Sequence, residues 1–185
     1  MSITKSMSLR MKLTTVLVAL LFAGLGVFLA VQHDKPLTAA DRAVQDFFAL
    51  SLPNHERQTQ KLAQWRKRPL VINFWATWCA PCVDEMPELS ALQKELGQKN
   101  LQILGIGIDK LDNIAEFQGK HQISYPLYGA GFEGAQIAQE MGNVAGGLPF
   151  TVLISADERV FKVYSGRLQM SVLRKDIQTM LDAKQ

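Results

Sequence analysis

The chain has 185 residues, 48% of them hydrophobic and 20% charged. That allows one domain of ordinary size with its own core plus a short appendage, and excludes a disordered chain. The net charge of +3 sits at one end: residues 1–32 hold Lys5, Arg10 and Lys12 and no acid, while all 17 acids follow from Asp34 onward against the remaining 17 bases. A nucleic-acid surface needs a basic excess on the folded part, so no nucleic-acid partner is expected.

In chain order, residues 1–12 read as a short cytoplasmic N-terminus. Residues 13–31, LTTVLVALLFAGLGVFLAV, carry no charge, and 19 helical residues at 1.5 Å each span about 29 Å, the depth of a bilayer's hydrocarbon core. The run exceeds an ordinary signal-peptide core, and the small-residue site Thr38-Ala39-Ala40 is distant, so it reads as an uncleaved transmembrane anchor. The three preceding cations keep the N-terminus inside. This predicts a single-pass inner-membrane protein with an extracytoplasmic, periplasmic domain. Residues 32–45 read as a linker and 46–185 as the domain.

Within the domain, Asp46 to Asn54 alternates apolar and polar residues as a short strand would. His55 to Arg68 is polar, with Leu62 and Trp65 pointing inward and Arg66-Lys67-Arg68 on a solvated face. Pro69 to Trp75 is apolar on both faces and so a central strand. Ala80 to Leu96 has Pro81 in its first turn, Asp84 and Glu85 near its start, and Leu89, Leu92 and Leu96 at helical spacing; Pro87 predicts a kink. Strand at 101–108, helix at 113–121, extended chain at 125–128 and helix at 134–141 follow. A glycine-rich stretch, 142–147, leads to Leu148-Pro149. A hairpin, 150–154 and 160–164, and an amphipathic helix, 168–181, close the chain. Alternating strands and helices followed by a hairpin predict an α/β layer sandwich with a mixed central sheet.

Cys79 and Cys82 are the only cysteines. They stand where the central strand gives way to the helix, a place that favours a thiolate at the first sulfur and sets the second one turn along. A bridge across two residues closes a very small ring and is a weak staple. Zinc would need two further ligands, and His33, His55 and His121 are not at ligand spacing. The pair therefore reads as redox-active, with no metal and no cofactor beyond the cysteines.

Phe74-Trp-Ala-Thr-Trp-Cys-Ala-Pro-Cys82, with Glu85-x-Pro87-x-Leu89 and a distant Gly147-Leu-Pro-Phe-Thr151, resembles the thioredoxin superfamily, and more narrowly its membrane-anchored TlpA-like and ResA-like thiol–disulfide oxidoreductases. The resemblance covers roughly residues 46–183. It implies a thioredoxin-like three-layer sandwich behind an N-terminal transmembrane helix. It implies Cys79 as the more exposed attacking thiolate beside Trp78, Cys82 as the buried resolving thiol, and Pro149 as a cis-proline facing the disulfide, with the Leu148 backbone free to pair with a substrate strand. Thioredoxins place a buried acid where this chain has Asn73, which cannot accept a proton. Glu85 matches an acid of the ResA-like group and is assigned as base for Cys82; its alternative is a helix-terminal acid stabilised by the dipole.

Ala80-Pro81 between the cysteines, with no histidine, points to a reductase of disulfides in exported proteins, regenerated by a membrane-bound electron donor. Apocytochrome c haem-site cysteines and oxidase copper-site cysteines are the implied clients. A thiol oxidant and a copper-handling assembly factor, with Met86 as a further soft ligand, are the alternatives. A peroxidase of the same superfamily would need a Pro-x-x-x-Thr-x-x-Cys loop, which is not found here.

Overall fold

A computed structural model describes residues 9–33 and 36–183, with side chains described for 13–26 and 36–183. The chain divides into two compact units, residues 1–36 and 37–185. In the first, helix α1 runs Leu9–His33 and its described side chains are exposed. Residues 1–8 of the expected cytoplasmic N-terminus and the side chains of 27–31 in the expected span lie outside the described residues. Among those described, no helix is long and apolar enough to cross a membrane.

The second unit begins with helix α2, Ala39–Ala49, which corrects the expected linker from residue 39 to 45 and the first part of the expected strand at 46–54, of which only Ser51–Pro53 is strand. Thr38 and Asp41 form a reciprocal capping box at its start, and Ala43, Val44, Phe47 and Phe48 fall on one buried face. The stripe 43, 44, 47 and 48 has helical spacing, which a window opening at Asp46 cuts to its last turn. Strands β1 (Ser51–Pro53) and β2 (Thr59–Lys61) form a small antiparallel sheet, and a 3-10 turn, Leu62–Trp65, leads to the main sheet.

That sheet has the order β5-β4-β3-β6-β7. Strand β3 (Leu70–Trp75) is central and buried at every residue, with β4 (Gln102–Gly107) parallel on one side and β6 (Phe150–Ile154) antiparallel on the other. β5 (Leu127–Gly129) extends it in parallel, and β7 (Val160–Ser165) in antiparallel. Side-chain alternation along β3 separates two cores. Val71 and Trp75 pack with helix α3 (Ala80–Leu96), helix α4 (Leu111–His121) and helix α6 (Met170–Asp182), while Ile72 and Phe74 pack with α2 and helix α5 (Gly131–Glu140). The result is the expected three-layer sandwich around a mixed sheet. Helix α3 continues as one helix through Pro87.

Arg66 is not merely a solvated residue, as expected. It donates to Glu158 at 2.7 Å and to Gln45 at 3.0 Å, and Glu158 is 4% exposed. A carboxylate so buried needs a charged partner, and Arg66 supplies it from the start of the sheet while its guanidinium lies over the Phe48 ring at 4.9 Å.

Candidate active site

At the C-terminal end of β3 the chain turns sharply, closed by the Cys79 N–H donating to the Ala76 carbonyl at 3.1 Å. Cys79 then serves as the N-cap residue of α3, with extended φ and ψ, and Pro81 occupies the first helical turn. Proline fits there because the first-turn N–H groups have no helical acceptor. Cys79 and Cys82 are joined as a disulfide with Cα atoms 5.3 Å apart. Cys82 is fully buried, as expected, and Cys79 is 6% exposed, the more open of the two but more enclosed than an exposed attacking cysteine was expected to be. Trp78, 70% exposed, stands outward beside them.

The loop carrying these residues is pinned at Thr77. Its N–H donates to Asp109 Oδ2 at 3.2 Å and its hydroxyl donates to the same oxygen; Asn113 Nδ2 and the Lys110 N–H bind the other carboxylate oxygen. Burial pushes the Asp109 carboxyl up, but these donors outweigh it and hold its pKa below the ordinary value. The sequence reading missed Asp109. An acid just past a buried strand, four residues before Asn113, is the signal that could have drawn notice.

The loop 142–149 ends at the same end of the sheet, where Phe150 pairs with Phe74. The Leu148–Pro149 peptide bond is cis; Pro149 is buried and Leu148 half-buried. Buried Asn143 ties this loop together: its N–H bonds the Ala138 carbonyl and its Nδ2 the Gly147 carbonyl, both at 2.9 Å, while its own carbonyl accepts from Gly146 at 3.0 Å. Gly146 has φ +66, a left-handed conformation that glycine takes without strain. A cavity of about 340 Å³ lies along this loop, lined by Val144, Gly147, Leu148 and Gly166 among others.

Glu85, one turn beyond Cys82 on α3, is fully buried. Oε1 accepts from Asn73 Nδ2 at 2.8 Å and Oε2 from the Leu168 N–H at 2.9 Å. Asn73 Nδ2 also donates to Thr151 Oγ1 at 3.0 Å, placing one polar row across β6, β3 and α3. Burial raises the Glu85 carboxyl above its ordinary pKa, against the lowering pull of the Leu168 and Asn73 donors and of Arg167. The structure thus brings Asn73 and Glu85, separate in the sequence reading, into one contact. Thr151 and the Leu168 N–H are added partners that no local pattern announces.

A disulfide at a helix N-terminus and a buried carboxyl on the same helix, at the end of the sheet where Phe150 after the cis-proline pairs with Phe74, make a site for dithiol–disulfide exchange. The model of the AhpC/TSA family matches residues 43–164, well over half of the chain. The chain belongs to the AhpC/TSA family. Within it, the chain is TlpA/ResA-like and of the thioredoxin superfamily. It is 25% identical over 174 residues to the thiol-disulfide oxidoreductase ResA of Geobacillus thermodenitrificans, covering 92% of this chain and 96% of that protein. Its identity to ResA of Geobacillus kaustophilus is also 25%, over 97% of each chain. Among solved structures it resembles a putative thioredoxin from Neisseria meningitidis at 25% identity, with a TM-score of 0.61 over 71% of this chain and 87% of that one. A putative thiol:disulfide interchange protein DsbE from Chlorobium tepidum, at 21% identity, shares the fold with a TM-score of 0.63 over 71% and 92%. This AhpC/TSA member is a ResA-like protein thiol–disulfide oxidoreductase.

Proposed function

We propose that the chain is a membrane-anchored, extracytoplasmic reductase of disulfides in exported proteins, with α1 as the anchor and Lys5, Arg10 and Lys12 holding its N-terminus inside. One observation carries the direction. The α3 N-terminus that bears Cys79 offers helix N–H groups, but Ala80 and Pro81 supply no cation or hydrogen-bonding side chain to its sulfur. Strong oxidants draw their power from a stabilised reduced form, and nothing in the intervening dipeptide provides that extra stabilisation.

In the forward reaction the Cys79 thiolate attacks one sulfur of a client disulfide and expels the other as a thiolate, which takes a proton. Glu85 removes the proton from Cys82. The Cys82 thiolate then attacks the Cys79 sulfur, the Cys79–Cys82 disulfide forms, and the client leaves with its second cysteine reduced. Leu148 and Pro149 form the wall along which the client segment lies, with Trp78 at its mouth. A membrane-bound donor returns two electrons to the pair, and no other cofactor is needed. Haem-site cysteines of apocytochrome c and copper-site cysteines of oxidase assembly factors are the client classes that the ResA-like character suggests.

The test is the reduction potential of the isolated protein together with trapping by Cys82→Ser. A potential near that of thioredoxin, roughly −270 mV, and client adducts through Cys79 support a reductase; a potential near about −120 mV makes the chain an oxidant.

A further inference from the structure

Two cavities open where β7 ends. One, of about 340 Å³, is lined by Val144, Leu148 and Gly166 among others; the second, of about 380 Å³, is lined by Tyr164, Arg167, Leu168, Gln169 and Val172. They meet at Ser165, which lines both. Ser165 pairs with Phe150 and Phe150 with Phe74, so the junction lies at the end of the sheet from which β3 leads to Cys79. The Gly166 N–H donates to the Pro149 carbonyl at 2.9 Å. Leu168 belongs to the buried cluster that contains Cys79 and Cys82, and its N–H donates to Glu85 Oε2 at 2.9 Å. Backbone hydrogen bonds thus tie this trough to the cis-proline and to α3.

The lining combines apolar surface with one positive charge. Val144 is 81% exposed and Val172 38%, and exposed apolar side chains along a concave surface suit contact with another chain. Among the described residues that line the two cavities, Arg167 is the only one charged at neutral pH, and none is an acid. Arg167 pairs with Glu88 of α3, but their closest N–O distance is 3.7 Å, too long for a hydrogen bond, and both side chains are more than half exposed. Such a pair contributes little, so exchanging Glu88 for another carboxylate costs little. A lone positive charge in a partly apolar trough is complementary to an acidic side chain among apolar neighbours.

Resting on the reading of the chain as a reductase of exported proteins, we propose that this trough is a client subsite in which Arg167 selects polypeptide segments carrying an acidic side chain close to the reacting cysteine. Apolar residues of the client lie against Val144, Leu148 and Val172, and its carboxylate replaces Glu88 at the Arg167 guanidinium. Bond making and breaking stay with Cys79, which forms the mixed disulfide, and Cys82, which resolves it. Arg167 decides which segment is held while that exchange takes place.

The test mixes the reduced full chain, in a stopped-flow instrument, with short peptides whose cysteine is joined to an aromatic thiol that absorbs light once released. The first phase, attack by Cys79, frees that thiol; the second, resolution by Cys82, frees the peptide. The peptides come in pairs that differ only in one residue, glutamate or lysine, set at successive positions on either side of the cysteine. The readout is the ratio of first-phase rates within a pair, in which any general change in the site cancels. In the wild type the glutamate peptide is expected to react about fivefold faster at one position or at adjacent ones, and the ratio to shrink as salt screens the charges. Arg167→Gln is expected to abolish the preference and Arg167→Glu to invert it. Lys99→Gln, which removes the same charge from the turn after α3, is expected to keep it. No preference in the wild type at any position, a preference that survives Arg167→Gln, or one lost equally in Lys99→Gln overturns the subsite and leaves the reductase reading standing. If the wild type reduces no peptide of the set, the reductase reading falls and the subsite with it.

Discussion

Replacing Asn73 with aspartate restores the acid that thioredoxins carry on this strand, but sets it 2.8 Å from Glu85 Oε1, where the Asn73 amide now donates. Both positions are fully buried. Two negative charges about 3 Å apart repel by roughly 5 kcal/mol at an effective dielectric constant near 20. The pair therefore keeps one shared proton through neutral pH and titrates as a unit. The unfolded chain holds no such proton at neutral pH, because both acids have ordinary values there. The folded variant thus binds one more proton than the unfolded one, so stability must fall as pH rises. Once Glu85 of the wild type has ionised, the stability of Asn73→Asp relative to it declines by about 1.4 kcal/mol per pH unit. For a chain of this size that is roughly 3–6 °C in melting temperature per pH unit. Thermal melts of both proteins in matched buffers between about pH 6 and 8 measure it directly. Parallel melting curves over that range would refute the buried contact between positions 73 and 85.

Three other changes probe separate parts of the fold. Asp41 accepts from the Thr38 and Val160 N–H groups and lies near Arg159; burial pushes its carboxyl up, yet these partners prevail and its pKa falls below the ordinary value. Its contribution is therefore present at neutral pH and lost as pH falls through the lowered folded value, so the advantage of wild type over Asp41→Asn in urea melts should shrink below about pH 4. Gly105→Ala would bring a Cβ to 2.5 Å from Leu127 Cδ2 and 3.2 Å from Trp75 Nε1, all inside the core, and should cost roughly 1–3 kcal/mol in chemical denaturation. Asp109→Ala removes the acceptor of the Thr77 N–H and hydroxyl. It should cost about 1–3 kcal/mol and slow attack by Cys79 in the stopped-flow assay, whereas Asp109→Asn, which keeps one acceptor oxygen, should recover part of both.

The strands and helices from Leu70 onward were legible because each is long or strongly patterned: β3 is apolar at nearly every residue, and α3 opens with Pro81 and repeats leucine at helical spacing. Misreading came where the local signal was short. Asp46 to Ala49 is only the last turn of α2, and its pattern changes meaning once Thr38 and Asp41 are seen as a cap. Of the β1–β2 sheet, β1 falls inside the strand expected over 46–54, while β2 was missed because it is only three residues long. In the site, the cysteine pair, Leu148-Pro149, Asn73 and Glu85 each carried a local mark. Their mutual arrangement did not, because the contact from Asn73 to Glu85 and the one from Leu168 to Glu85 depend on how α3 lies over the sheet. Burial of Glu158 was likewise invisible, since a turn acid next to Arg159 reads as solvated until Arg66 arrives from 92 residues away.

The hydrogen bonds that Asn143 makes within the loop 142–147 have a thermodynamic consequence for any chain laid against Leu148 and Pro149. This wall is assembled before the encounter, so binding does not have to order it. Freezing a backbone costs roughly 1–2 kcal/mol per residue, and with one side already set that penalty falls on the incoming segment alone. On the proposed function, clients would be ranked by the freedom they must surrender at this wall. A cysteine segment that is already extended and stiff binds more readily than one drawn from a loose coil, and a disulfide locked inside a folded domain must first be released to reach the wall.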